Sequence, residues 1–475
     1  MNNKSRRPYM LPVQLTCDPA KIENGISMDV VEHFIKKHEE MFPRYEYLEK
    51  LYLGFHDIFR EPEKPDWKPD HRLAVNFPRF ITQAFVGYTY GIPIKVGHED
   101  EKTNESLLAF EKNNQTSDHN AEMATKCSVY GHAFEYSYQN EDGKTKLKAF
   151  SPKDLFVVYD NRISEKALFA VRYGYYTDDD NRRKKYGEIM TAREIVPFEE
   201  NKKGEPQPNP YGYIPVVEWR LNEERMGLFE PAANLIEEFD LIISEKGNDV
   251  AAFAEAYMAI LGAEVDEDGV KRIRDDRIIN IYGTDDAKDV LVQFLTKPTA
   301  DGTQENLLDR LQDLIFVTCM VANISDENFG NNASGISLAY KLLAMDNLAK
   351  TFDRKVSKSL SKRYKIFCSL STNANNPNAW EDVDITFSRN VPKNLQEEVQ
   401  NASGLEGIVS KKTQLTVLSV VDDPEAEMEQ IRKEEDEEAE AAAKRSDLWR
   451  QPSFDYGTDS EGDEADELGG DGDEA

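Results

Sequence analysis

PAANLIEEFDLIISEKGNDVAAFAEA (Pro231–Ala256) decides how the rest of the chain is read. It opens on a proline, which suits a first helical position because no intrahelical N–H is needed there. Leu235, Phe239, Ile242 and Ile243 then fall on one stripe. At 1.5 Å per residue this helix is roughly 39 Å long. TQENLLDRLQDLIFVTCMVA (Thr303–Ala322) repeats the pattern with Leu307, Leu311, Leu314, Ile315 and Cys319. A third helix starts after Gly335 and reaches about Leu370, roughly 50 Å. It carries Leu338, Leu342, Met345, Leu348, Phe352, Val356 and Leu360 every three or four positions. DENFGNNASG (Asp326–Gly335) separates the last two helices; it is polar and holds two glycines, so no helix continues through it. Stripes on helices this long need neighbours. An antiparallel hairpin inside one monomer meets that need as well as contacts between chains do.

The chain has 475 residues, 39% of them hydrophobic, enough to bury a large core in two or more domains. Its four cysteines, Cys17, Cys127, Cys319 and Cys368, are far apart and form no CxxC pair. That usage fits a reducing compartment and argues against a disulfide scaffold or a thiolate zinc site. No apolar run approaches the roughly 18 residues of a membrane span, and Met1–Pro8 lacks the apolar segment of a signal peptide. A soluble cytoplasmic product is therefore expected. The net charge of −31 is unevenly placed: Asp422–Ala475 holds 22 acidic and 5 basic residues. Phosphate binding needs Lys and Arg, so tight nucleic-acid binding by the chain as a whole is not expected.

Taken in order, residues 1–27 read as a polar arm. Met28 to Gly54 reads as one amphipathic helix with Val31, Phe34, Ile35, Tyr45, Leu48 and Leu51 inside. Glu61–Pro69 is a proline-rich loop, Phe77–Val86 a helix, Gly91–Val96 a short strand, and Asn104–Tyr130 two helices. After Gly131 the period changes to two, with strands at His132–Tyr138, Lys146–Ser151, Leu155–Tyr159 and Ala167–Tyr176. A further strand pair spans Glu188–Phe198 and Ile214–Trp219. Tyr257–Pro298 carries a small α/β pattern of its own, with strands at Met258–Leu261, Arg277–Tyr282 and Asp289–Leu295 and a short helix around Gly269–Arg274. Val383–Phe387 alternates as a strand, three short helices follow between Pro392 and Arg445, and the last 30 residues read as disordered. The class is α+β.

Motifs of catalysis are missing. There is no GxxxxGK[ST] loop, no HExxH and no GxSxG around Ser334. All seven histidines precede residue 133, and His33 and His38 are five apart, off the i,i+4 spacing of a helical ligand pair. They read as surface residues. Asp178-Asp-Asp180 before Asn181-Arg-Arg-Lys-Lys185 reads as a solvated hairpin tip, with a cation site as the sharper alternative. No catalytic residue, metal ligand or cofactor site is assigned.

Leu73-Ala-Val-Asn-Phe77, followed by GYTYGIPI (Gly87–Ile94), resembles the opening segment of the portal proteins of tailed bacteriophages, in the family found in long-tailed phages of Gram-positive hosts. VYGHAFEYSY (Val129–Tyr138), SPKDLFVVYDN (Ser151–Asn161) and Ala170–Tyr173 resemble its wing strands. YGYIPVVEWRLNEERMGLFEPAANLIEEFDLIISEKGNDV (Tyr211–Val250) resembles its approach to the first stem helix, and is the most specific piece. SGISLAYKLLAMDNLA (Ser334–Ala349) resembles the helix after its tunnel loop, and DDPEAEMEQI (Asp422–Ile431) its crown end. The resemblance runs in order over about residues 28–445.

What the resemblance implies is a phage portal fold: a helical and β wing, a two-helix stem, a small α/β clip insert, a long kinked helix after a tunnel loop and a helical crown, assembled as a ring of usually twelve subunits. Carried over by position, residues 1–27 are the arm, 28–228 the wing, 229–256 the first stem helix and 257–300 the clip. Residues 301–323 are then the second stem helix, 324–335 the tunnel loop, 336–391 the long helix and returning wing strand, 392–447 the crown, and 448–475 the acidic tail. The tunnel loop would present Asp326, Glu327, Asn328, Phe329, Gly330, Asn331, Asn332, Ser334 and Gly335 to DNA. The clip would use Lys271, Arg272, Arg274 and Arg277 to dock the terminase. Leu338, Leu342, Met345, Leu348 and Phe352 would face the next subunit. The implied partners are further copies of the chain, double-stranded DNA, the terminase large subunit, major capsid and scaffolding proteins, and a head-completion or tail adaptor protein. No enzyme activity, cofactor or membrane is implied. The implied location is the capsid portal vertex of the virion, with the host cytoplasm during assembly. The readings from other classes are a metal-dependent hydrolase using Asp178–Asp180 and a monomeric acidic scaffolding or adaptor protein.

Overall fold

The computed structural model of the chain describes residues 14–65, 68–254, 258–261, 291–294, 301–323, 335–391, 395–418, 420–421 and 423–448. Two compact units, residues 1–391 and residues 392–475, divide the chain. The first begins with the strand β1 (Thr16–Cys17) and helices α1 (Met28–Glu39) and α2 (Phe42–Leu53). The single helix expected from Met28 to Gly54 is thus two. Pro43 is the cause: inside a continuous helix its ring would strike the carbonyl of Glu39, whereas in the first turn of α2 it costs nothing. The stripe residues Val31, Phe34, Ile35, Tyr45, Leu48 and Leu51 are all buried, as expected.

Helices α3 (Phe77–Tyr90), α4 (Glu101–Asn114) and α5 (Thr116–Tyr130) follow, with the strand β2 (Lys95–Gly97) after α3. Gly131 ends α5 at φ +88°, and the Arg225 backbone passes so close that a Cβ there would lie 1.9 Å from its carbonyl oxygen. Only glycine permits that crossing.

The β region forms two sheets. β3 (His132–Gln139), β4 (Thr145–Phe150) and β11 (Val216–Arg220) make the smaller one, in the order β11-β3-β4. The larger holds β5 (Leu155–Asp160), β6 (Ala167–Thr177), β7 (Arg183–Met190), β8 (Glu194–Glu199), β9 (Lys202–Lys203) and β10 (Gln207–Pro208). It is antiparallel except where β1 joins β5 in parallel, so the end of the expected arm is built into the sheet with Leu15 and Cys17 buried. The strand expected over Glu188–Phe198 is a hairpin instead. The Thr191 hydroxyl accepts the N–H groups of Arg193 and Glu194 at 3.2 and 3.0 Å, closing a turn that the alternating pattern hid. Its expected partner, Val216–Arg220, pairs with β3.

Two long helices then leave this body: α6 (Ala233–Ala254), preceded by a 3₁₀ turn containing Pro231, and α7 (Asp301–Cys319). Between them β12 (Met258–Leu261) pairs antiparallel with β13 (Leu291–Phe294), where two of the insert's strands were expected. The helix α8 (Gly335–Cys368) is uninterrupted over 34 residues. β14 (Asp384–Thr386) returns to pair with β2. The second unit holds α9 (Leu395–Gly404), α10 (Lys411–Thr416) and α11 (Pro424–Leu448).

The core of the first unit corrects two expectations. Leu342, Met345 and Phe352 do not face a neighbouring chain. They are buried in the chain's own core, Phe352 at 0% exposure between Phe85 and Tyr90 of α3, and Leu348 packs half-buried against the same cluster. The periodicity marks a buried face, and α3 supplies the neighbour of Phe352. Nor are the histidines mainly surface residues: His38, His56, His119 and His132 are buried, each hydrogen-bonded. His38 Nε2 donates to the Pro152 carbonyl at 2.5 Å, which leaves Nδ1 to accept from the Tyr173 hydroxyl at 2.9 Å. Burial pushes its pKa down to about 3.

Candidate functional site

LAVNF (Leu73–Phe77) fixes the long helices to the body, residue by residue. Residues 71–75 run extended along α6. The N–H of His71 donates to Asn248 Oδ1 at 2.5 Å, that of Leu73 to the Ser244 hydroxyl at 2.9 Å, and that of Val75 to Asp240 Oδ1 at 2.9 Å. Two extended residues advance about 6.7 Å and four helical residues about 6.0 Å, so alternate amides and i,i+4 side chains stay in step. Asp240 also holds His56 Nδ1, so α6 is tied to the end of α2 as well. Asn76 caps α3 by accepting the Arg79 N–H at 3.0 Å. Phe77 then sits edge-on to Phe239 of α6 and Phe316 of α7, at 5.0 and 6.0 Å between ring centroids. One pentapeptide therefore joins both stem-like helices to the body.

Three buried charge groups brace the body and the roots of its long helices. Arg44 of α2 grips Glu230, just before α6, through Nε at 2.8 Å and Nη2 at 2.5 Å, and also donates to the carbonyls of Tyr130 and Arg225. Glu135 of β3 accepts from Arg363 of α8 at 2.9 Å and from His119 at 2.9 Å. Burial alone would raise its pKa, but Arg363 and His119 hold it down to about 2. Glu218 of β11 accepts from His132, Tyr159, Arg220 and Arg225, and against its burial Arg225, His132 and Arg220 keep it well below the usual carboxylate range. Such groups are satisfied only in one geometry, so they fix α6 and α8 on the body. Sequence reasoning missed all three. For the ladder to residues 71–75 the local signal was Asp240, Ser244 and Asn248, polar residues four apart on α6.

The helices are unfinished on their other faces. On α7 the buried set is Leu308, Leu311, Ile315, Phe316 and Cys319, while Leu307 and Leu314, expected on the inner stripe, are exposed. With Val317, which is 72% exposed, they recur at i, i+7 and i+10, one apolar face that no described residue covers. On α8, Tyr340 is 74% exposed and Leu343 lies beside it at i+3. A third group, Leu53, Phe55 and Phe59, is exposed near a groove of about 260 Å³ lined by Tyr47, Lys50, Phe55 and Arg60.

Of the other sequence-predicted residues, Asp326, Glu327, Asn328, Phe329, Gly330, Asn331, Asn332 and Ser334 lie outside the described residues, as do Lys271, Arg272, Arg274 and Arg277. Gly335 is the first residue of α8, and the Leu338 side chain is not among those described. Asp178 and Asp180 form the tip of the β6–β7 hairpin. Asp178 accepts the Arg182 N–H at 2.8 Å and pairs with Lys184 at 3.2 Å, while Asp180 is paired with Arg182. The tip's acids are occupied by its own cations. Among the described residues no helix is long and apolar enough to cross a membrane.

Comparison with known proteins agrees with this architecture. The family described as phage portal protein, SPP1 Gp6-like, matches residues 31–441. The portal protein of Bacillus phage SPP1 is 23% identical over 422 residues, which cover 83% of this chain and 82% of that protein. The matched span takes in both sheets except β1, both stem-like helices, α8 and most of α11. The chain belongs to the SPP1 Gp6-like family of phage portal proteins.

Proposed function

We propose that this chain is the portal of a tailed phage: a ring, of about twelve copies in the family resemblance, set at one capsid vertex, through which duplex DNA enters the head and later leaves it. Family membership over residues 31–441 carries the reading. The exposed apolar groups on α7, on α8 and at Leu53, Phe55 and Phe59 support it. A head-to-tail ring needs two different surfaces on each subunit, and separate apolar groups of this kind are what such a contact requires. The interface therefore moves from the buried stripe of α8 to Leu307, Leu314, Val317, Tyr340 and Leu343.

In this reading residues 28–228 are the wing, α6 and α7 the stem, 257–300 the clip, 324–335 the tunnel loop, and 392–447 the crown. Asp326 and Glu327, repeated once per subunit, would form a non-adhesive acidic collar around DNA. Lys271, Arg272, Arg274 and Arg277 would dock the terminase and later a head-completion protein. Capsid and scaffolding proteins would meet the ring during assembly in the host cytoplasm. The ring is a structural part of the virion, and ATP hydrolysis belongs to the terminase.

The test is sedimentation with negative-stain imaging of the purified chain, followed by packaging with its terminase. Rings with a central hole that package DNA are expected. A monomer under all conditions would overturn the reading.

A further inference from the structure

The exposed face of α8 changes character along its length. After Tyr340 and Leu343 it passes through Asn347 and becomes Lys350, Thr351, Arg354, Lys358 and Lys362, all exposed. Lys350, Arg354, Lys358 and Lys362 are spaced by four and span about 18 Å of helix. The whole helix holds eight basic and two acidic residues in a chain whose net charge is −31.

Ordinary explanations fall short. Helix-dipole compensation acts within the last turn, and these cations lie 6 to 18 residues before Cys368. Among the described residues, ion pairing accounts only for Lys350, which meets Asp346 at 2.6 Å; Arg354 donates to the Lys350 carbonyl, and neither Lys358 nor Lys362 has a described carboxylate within ion-pair distance. Solubility in so acidic a chain does not require lysines. Burial lowers the pKa of Lys362; Glu218 pulls against it, and Arg220 and Lys358 add to it.

We propose that this face of α8 binds the phosphate backbone of double-stranded DNA, weakly and without regard to sequence. Over 18 Å one strand of a duplex presents about five phosphates, enough to meet all four cations. An acidic protein partner is the less fitting occupant, because protein interfaces keep an apolar centre and no large apolar side chain is exposed between Asn347 and Lys362. The face starts about 22 Å along the helix from Gly335. A grip there would hold DNA that is not in transit, while the acidic loop lets moving DNA slide. The inference deepens the portal reading and rests on it for the identity of the ligand.

The test uses the full-length protein and a fluorescent mixed-sequence 30-bp duplex, with anisotropy read from 50 to 200 mM salt and sedimentation recording the assembly state separately. Four phosphate contacts predict about a 100-fold loss of affinity across that range. K350Q/R354Q/K358Q/K362Q should weaken binding at 50 mM by tenfold or more. K36Q/K102Q/K144Q/K148Q, which removes the same charge from exposed lysines elsewhere, should bind like the wild type. Equal losses in the two variants, or no binding by wild-type protein at 50 mM, would overturn the inference. Should the quadruple variant misfold, R354Q and K358Q singly must each still flatten the salt slope by about one. Absence of rings in sedimentation would count against the portal reading, whatever the binding result.

Discussion

The two halves of α8 face different problems. From Phe352 onward the helix is closed within the chain: Phe352, Val356, Leu360 and Tyr364 are buried, and Arg363 is locked to Glu135. Before it, Tyr340 and Leu343 stand in solvent, as do Leu307, Leu314 and Val317 on α7. One half is finished by folding, and in the proposed ring the other would be finished by assembly. A subunit built in this way would fold as an independent body and still carry an unsatisfied surface to its neighbours.

The largest effect that could break this contrast lies at the closed end. Arg363→Met leaves the Glu135 carboxylate buried with His119 as its remaining ion-pair partner, and should cost about 3–5 kcal/mol in chemical denaturation. Glu135→Gln combined with Arg363→Met should recover part of that loss. An Arg363→Met protein of near wild-type stability would mean that the pair does not hold the helix.

Acid should act next. His38 is depressed to about 3 in the folded protein against an ordinary value of 6.5, so between these values the unfolded chain binds a proton that the folded chain refuses. Stability must then fall as pH drops below 6.5, by about 2 kcal/mol between pH 6.5 and 5 for this one group. Depressed His132 adds to the same limb. Glu135 and Glu218, also depressed, are lost only at lower pH, below the ordinary value of 4.5. His38→Gln keeps a donor and an acceptor without the titration, and urea midpoints measured over pH 5 to 7 should flatten accordingly.

At the junction, Ser244→Ala removes one rung between α6 and residue 73 and should cost about 1 kcal/mol. Amide exchange should show Leu73 losing protection before its neighbours. At the open end, Val317→Asp and Tyr340→Asp should each change the folding stability of the isolated subunit by under about 0.5 kcal/mol, yet abolish rings in sedimentation. If Tyr340→Asp unfolded the subunit instead, the contrast between the halves of α8 would be wrong.

Periodic features were legible in the sequence because they repeat locally. The three long helices, the strands at 132–138, 145–150, 155–160 and 167–177, and the short strand at 384–386 all announce themselves in period or turn residues. What stayed hidden was partnership. The stripe of Leu342, Met345 and Phe352 said only that something covers it, and whether that is α3 or another chain is a matter of tertiary placement. Glu135 and Arg363 are 228 residues apart, and nothing near either names the other. The break before α2 could have been seen, since Pro43 stands where a continuous helix cannot hold one. The tunnel-loop and clip residues carry expectations drawn from resemblance, and tests on DNA movement and terminase docking will decide them.

The ladder between residues 71–75 and α6 also has a mechanical meaning. Its three hydrogen bonds run across the helix axis, so a force along α6 shears them together, while a sideways force would peel them open one at a time. Threads stitched across a seam resist tugging along the seam for the same reason. If α6 is the stem of the proposed portal, a lengthwise pull on it would meet the direction of greatest resistance, with the Phe77 ring between Phe239 and Phe316 as its pivot.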